Sequence, residues 1–114
     1  METVRIEKGQ VIIRYKEQND YCYFIKEGIV ELCVNLPNRP EKFVQIGQLK
    51  ANDCVGEISF IDRHPSALTA ITKTDCVFLK LTLDDIKNHD KESVAAMGFL
   101  LKYVCRKLRE QIRI

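Results

Sequence analysis

Few residues in this chain are spaced to do chemistry, and those few lie close together. In Val55 to Ala70, "VGEISFIDRHPSALTA", a glycine and an acid come off an extended segment and a short apolar run follows. His64-Pro65 then turns the chain, and small residues lead back into an extended segment. A helix beginning at Gly56-Glu57 points free backbone N–H groups outward. With the positive end of the helix dipole, these favour an anion such as a phosphate. Gly56 lets that anion approach the backbone closely. Glu57 suits the sugar hydroxyls of such a ligand, as an acceptor, rather than the phosphate itself. Pro65 fixes the turn and Ala67 leaves room above. The competing reading is a strand–turn–strand connection with a solvated glutamate.

Catalysis has little to work with. His64 and His89 are the only histidines, both in turn-like surroundings, and no G-x-S-x-G, H-E-x-x-H or P-loop is present. Glu57 and Asp62 lie five apart and form the one conceivable acid pair, but nothing in the sequence sets them across a substrate. A non-enzyme with no catalytic residues, no metal site and no resident cofactor is expected. The five cysteines (Cys22, Cys33, Cys54, Cys76, Cys105) contain no C-x-x-C pair, so a zinc ribbon or thioredoxin-like motif is not available. Most sit beside apolar residues and read as small buried hydrophobes in a reducing compartment, a reactive thiol being the alternative.

The elements that must position the Val55–Ala70 stretch fall into two regimes. Up to about residue 82 the segments are short and rich in branched or aromatic residues: "VIIRY", "YCYFIKE", "IVELCVNL", "KFVQIGQL" and "CVFLKL". Turn signals separate them, among them Lys8-Gly9, Asn19-Asp20, Glu27-Gly28 and Ala51-Asn52-Asp53. Short strands with turns this frequent predict an antiparallel sandwich or barrel. "LPNRPEK" reads as an exposed hairpin tip, because its prolines do not fit a central strand. After Leu81 the period changes. Thr82-Leu83-Asp84-Asp85 carries a hydroxyl followed by an acid three residues on, a helix start. Asn88-His89-Asp90 ends that short helix, and a longer one runs from about Ser93. Its Val94, Met97, Leu101, Val104, Leu108 and Gln111 alternate steps of three and four, and Phe99, Leu100 and Ile112 widen the stripe. The extra width fits either a second subunit or the helix's own barrel.

One domain, residues 1–114, is expected, with a strand-rich body over about 4–82 and a helical tail over about 83–112. The chain has 46% hydrophobic and 30% charged residues, ordinary for a globular protein, and a net charge of +2 that does not call for nucleic acid. Lys102, Arg106, Lys107, Arg109 and Arg113 crowd the end against Glu110 alone, as a patch for an anionic partner or as a solvated helix end favouring cations. No apolar run approaches a membrane span and "METVRIEKGQ" has no signal core, so a cytoplasmic protein is expected.

The order of these features resembles the cyclic nucleotide-binding domain family, shared by protein kinase A regulatory subunits, cyclic-nucleotide-gated channels and catabolite-activator-type regulators. The resemblance runs from about Lys8 to Glu110. "KGQVIIRYKEQNDYCYFIKEGIVEL" looks like the opening strands and "GQLKANDCVGEIS" like the approach to the phosphate-binding cassette. "GEISFIDRHPSALTA" is similar to the cassette and "FLLKYVCRKLRE" to the long terminal helix of bacterial members. The resemblance implies a mainly β fold, an eight-stranded antiparallel jelly-roll barrel with flanking C-terminal helices. It also implies roles. Glu57 accepts a ribose hydroxyl, the backbone of Gly56, Glu57, Ile58 and Ser59 meets the cyclic phosphate, and Ala67 lines the phosphate and base region. The terminal helix closes over the base and, in bacterial members, pairs subunits.

The chain departs from that pattern where the family carries a phosphate-binding arginine, just after the cassette proline. Ser66 stands there, and Ala67 follows. The nearest basic group is Arg63, which meets the phosphate only by folding back over the turn. Losing one partner of a desolvated charge pair costs ~2–5 kcal/mol, whereas a serine hydrogen bond returns a net ~0.5–1.5 kcal/mol. Milder departures are Lys16 and Asn52 at turn positions where the family usually has glycine. The expected function is a stand-alone regulatory module that senses cAMP, cGMP or a related anion weakly, with Ala67 favouring cAMP. The alternative is a domain that has lost its ligand and serves as an interaction or dimerisation scaffold through its C-terminal helix. In either case no DNA-binding domain is expected, and output goes through a protein partner or a homodimer.

Overall fold

The computed structural model describes residues 1–88 and 91–112, apart from the side chains of residues 40, 108, 111 and 112. His89 and Asp90 of the expected helix break, the Leu108, Gln111 and Ile112 side chains of the stripe, and Arg113 therefore lie outside the described residues. The elements are β1 (Glu2–Ile6), β2 (Val11–Ile13), β3 (Tyr21–Glu27), β4 (Val30–Leu36), β5 (Arg39–Leu49) and β6 (Cys54–Val55). There follow α1 (Glu57–Asp62), β7 (Thr69–Thr72), β8 (Cys76–Thr82), α2 (Leu83–Lys87) and α3 (Lys91–Ile112).

The strands make two antiparallel four-stranded sheets, in the orders β1-β8-β3-β6 and β2-β7-β4-β5. This is the expected jelly roll, with one correction: it is an open pair of sheets rather than a closed barrel. The edge strands β6 and β2 contribute only two and three residues, which leaves the seam between the sheets unpaired. Pro40 falls within β5, which is an edge strand, where proline is tolerated.

Strand β3 shows how the layers are held. Successive side chains point to opposite faces. Tyr23 and Ile25 join Ile13, Val30, Val55 and Phe78 in the core between the sheets. Cys22 and Phe24 face outward, where Cys54, Phe60, Leu81, Leu100 and Tyr103 cover them. The second cluster docks α1 and α3 on the outer face of the first sheet, so a single strand is buried on both sides.

The start of α2 follows local chemistry. Thr82 caps α2 with a reciprocal pair: Asp85 N–H donates to Thr82 Oγ1 at 3.2 Å, and Thr82 N–H donates to Asp85 Oδ2 at 3.0 Å. Helix α3 buries Ser93, Leu100 and Tyr103 and half-buries Ala96, Met97 and Val104. Val94 and Leu101 face out, at 52% and 55% exposure. The wide stripe is thus two stripes, one on the sandwich and one in solvent. Lys16 and Asn52 take left-handed backbones, φ 68° and 76°, the conformation glycine adopts most readily.

The cassette cavity

Strand β6 delivers the chain to the cassette. Gly56 ends it at φ 82°, ψ 6°, the N-cap of α1. A Cβ there would lie 2.9 Å from Ile13 Cδ1, so the backbone angle and the approach of β2 both call for glycine. Phe60, buried in the outer cluster, anchors the helix to the sheet. Arg63 ends α1 in a second left-handed turn, φ 62°, and its N–H donates to Ser59 O at 3.1 Å.

The returning loop is pinned in three places. Ser59 Oγ donates to His64 O. His64 N–H donates to Asp62 Oδ1 at 2.9 Å. Ser66 N–H donates to Glu17 O at 3.0 Å, while Lys16 N–H donates to Ser66 O at 2.8 Å, tying the cassette to the β2–β3 loop. The Ser66 hydroxyl is used locally, donating to Leu68 O at 2.8 Å and accepting from Leu68 N–H at 3.2 Å.

Between α1, this loop and the second sheet lies a cavity of about 340 Å³. Ile13, Leu32, Leu49, Val55 and Ala70 form apolar walls, and Gly56, Glu57, Ile58, Ser59, Ser66 and Ala67 come from the cassette. These are six of the seven residues nominated from sequence. Arg63 is the seventh and does not line the cavity. The left-handed turn throws its side chain over the β2–β3 loop, where Nη2 sits 2.7 Å from Asp20 Oδ1 and Nη1 donates to Asn19 O at 3.1 Å. Asp62, His64 and Leu68 also line the cavity, and sequence reasoning gave them no ligand role. Their position in the same loop was the available signal.

Glu57 is partly buried. Burial pushes its pKa above the usual carboxyl value; its own backbone N–H, donating to the carboxylate, opposes this, Asp53 adds to it, and Lys107 opposes it. Burial likewise drives the Tyr103 hydroxyl upward, with Glu57 among the smaller causes. Helix α3 therefore lays Tyr103 and Lys107 within electrostatic reach of the cassette acid, and Arg106 and Lys107 stand 5.3 and 5.6 Å from the Tyr103 ring centroid. The Cys22 thiol is pushed up to about 12, chiefly by burial and further by Glu57. That marks it as an inert packing group. Among the described residues there is no cluster of three metal-ligating side chains, and no helix is long and apolar enough to cross a membrane.

A two-sheet jelly roll, a glycine–glutamate turn into a short helix, and a cavity beneath it define a class. The chain belongs to the cyclic nucleotide-binding domain family, whose pattern matches residues 3–91. Over 81 residues it is 32% identical to the cAMP-dependent protein kinase regulatory subunit of Eremothecium gossypii, a match covering 71% of this chain and 16% of that protein. The chain thus spans about a sixth of the length of that curated relative. Its fold is similar to the catabolite activator protein of Thermus thermophilus, with a TM-score of 0.77 and 16% identity, over 98% of this chain and 50% of that one. It is equally similar to a cyclic nucleotide-binding domain from Methylobacillus flagellatus, with a TM-score of 0.77 and 21% identity, over 95% and 62% of the two chains.

Proposed function

We propose that this domain is a non-catalytic regulatory module that takes a small ligand in the cassette cavity and responds through α3. Cyclic nucleotides enter this site weakly. The observation that carries the reading is the cavity itself, which is open to solvent, apolar-walled and lined in part by Glu57. Its volume falls at the low end of the ~300–1,000 Å³ typical of small-molecule sites. Glu57 accepts ligand hydroxyls, and α3 senses occupancy because Tyr103 and Lys107 lie within electrostatic reach of that acid. Similarity to a cAMP-dependent kinase regulatory subunit supports a cyclic nucleotide ligand, and Ala67 in place of a hydroxyl residue favours cAMP over cGMP. Four buried free thiols suit a reducing compartment, the cytoplasm. The test is thermal shift and titration calorimetry with cAMP and cGMP up to millimolar concentration, beside Glu57→Ala. A saturable shift that the variant loses is expected. Absence of any shift removes cyclic nucleotides as ligands.

A second reading, a scaffold through α3, is favoured by one observation. Val94 and Leu101 stand out from the helix with Gly98 and Cys105 on the same 3–4 repeat, a solvent-facing seam fit for a second copy. Under it, Leu101→Glu converts a dimer to a monomer in light scattering while leaving the thermal transition in place.

A further inference from the structure

We propose that the cavity selects an uncharged ribonucleoside over the corresponding cyclic nucleotide. This rests on the ligand-binding reading above and names the ligand class.

The inference comes from the polar groups that face the cavity and from those already engaged elsewhere. Its ionisable lining consists of Glu57, Asp62 and His64; neither lysine nor arginine is among the lining residues. The nearby guanidinium, Arg63, is held by Asp20 and Asn19. The Ser66 hydroxyl closes on Leu68 and the Ser59 hydroxyl on His64 O, so neither is aimed at a ligand. His64 does not reverse the balance, since its Nδ1 lies 3.6 Å from Asp62 Oδ2 and its side chain is largely exposed.

What is left is an apolar hollow with two carboxylates. A cyclic phosphate placed there loses water and meets like charge, with no cation among the lining residues to offset either cost; Lys107 reaches Glu57 from α3 but does not line the cavity. A nucleoside asks for different things. Its base needs apolar walls, which Ile13, Leu49 and Ala70 supply. Its sugar hydroxyls need acceptors, and a partly buried carboxylate is a strong one. Hydroxyl donors stabilise Glu57 where an anion would work against it.

Adenosine, guanosine, cAMP and cGMP are titrated into the wild-type chain near neutral pH at fixed ionic strength. At least one nucleoside is expected to bind about tenfold or more tightly than its cyclic phosphate, a difference of ~1.4 kcal/mol. Asp62→Asn keeps an acceptor for the His64 N–H and removes one charge. It is expected to raise cyclic nucleotide affinity about threefold or more and so to narrow the nucleoside's advantage. A wild-type protein that binds the cyclic nucleotide as tightly as the nucleoside overturns this inference and leaves the ligand-binding reading standing. Failure of all four probes, in the wild type and in Ser66→Arg, overturns both.

Discussion

Supplying a cation tests the cassette most directly. Ser66 lines the cavity, and under the proposed function Ser66→Arg places a guanidinium beside a bound cyclic phosphate. A desolvated charge pair of this kind is worth ~2–5 kcal/mol. Ordering the long side chain takes back ~0.5–1.5 kcal/mol. Asp62, on the same cavity wall, competes for the new charge and trims the gain further. The net is ~0.5–4 kcal/mol, or about twofold to about a thousandfold in cAMP affinity. The substitution also breaks two hydrogen bonds to Leu68. At a net ~1 kcal/mol each, these lower stability by ~1–2 kcal/mol, several degrees in melting temperature for a domain this size. Calorimetric titration of cAMP into both proteins at two ionic strengths reads the result, with adenosine as the phosphate-free control. The gain should be confined to cAMP and shrink in salt. A folded variant whose cAMP affinity matches the wild type would refute the reasoning, because residue 66 would then not face the phosphate position.

Other expectations follow from the same structure. Glu57→Gln is expected to stabilise the fold at neutral pH while weakening ligand binding. The Glu57 carboxyl has a raised pKa in the folded state, so folding takes up a proton, and stability falls as pH climbs from the ordinary carboxyl value through the folded one. Comparing melting temperatures of wild type and variant across acid to neutral pH checks this; the gap should close at low pH. Leu100 and Leu101 are adjacent but face opposite ways. Leu100→Ala is expected to cost ~2–5 kcal/mol by chemical denaturation, while Leu101→Ala stays within ~0.5 kcal/mol if the helix is unpaired. Lys16→Gly relieves a left-handed backbone at φ 68° and is expected to add up to ~1 kcal/mol, read in the same denaturation series. Gly28→Ala goes the other way, since its Cβ would lie 2.6 Å from Asp75 O at φ 102°, and a loss of more than ~1 kcal/mol is expected.

The amino-acid sequence alone determined where most strands lie and where α2 starts, because those are local matters. Tyr21–Glu27 is a strand because its residues are branched or aromatic and turns bound it, and Thr82 with Asp85 caps α2 through contacts three residues apart. Spacing also found the cassette loop, since Gly56 to Ala67 reach the cavity through one short stretch of chain. β1 (ETVRI) was not among the strands read from the sequence, because two charged residues interrupt its branched ones; β8 pairs with it along Glu2–Ile6.

Tertiary structure alone decided the rest. The apolar stripe of α3 carries no mark telling Leu100 from Leu101; only docking onto Cys22, Phe24 and Cys54 buries one and leaves the other in water. The direction of Arg63 was likewise undetermined, because a side chain at a loop apex can reach two ways. The left-handed turn at residue 63 and the Asp20 carboxylate brought near by the β2–β3 loop send it away from the cavity. Long-range neighbours thus decide which charged groups line the cavity, and no reading of near neighbours in the chain supplies them.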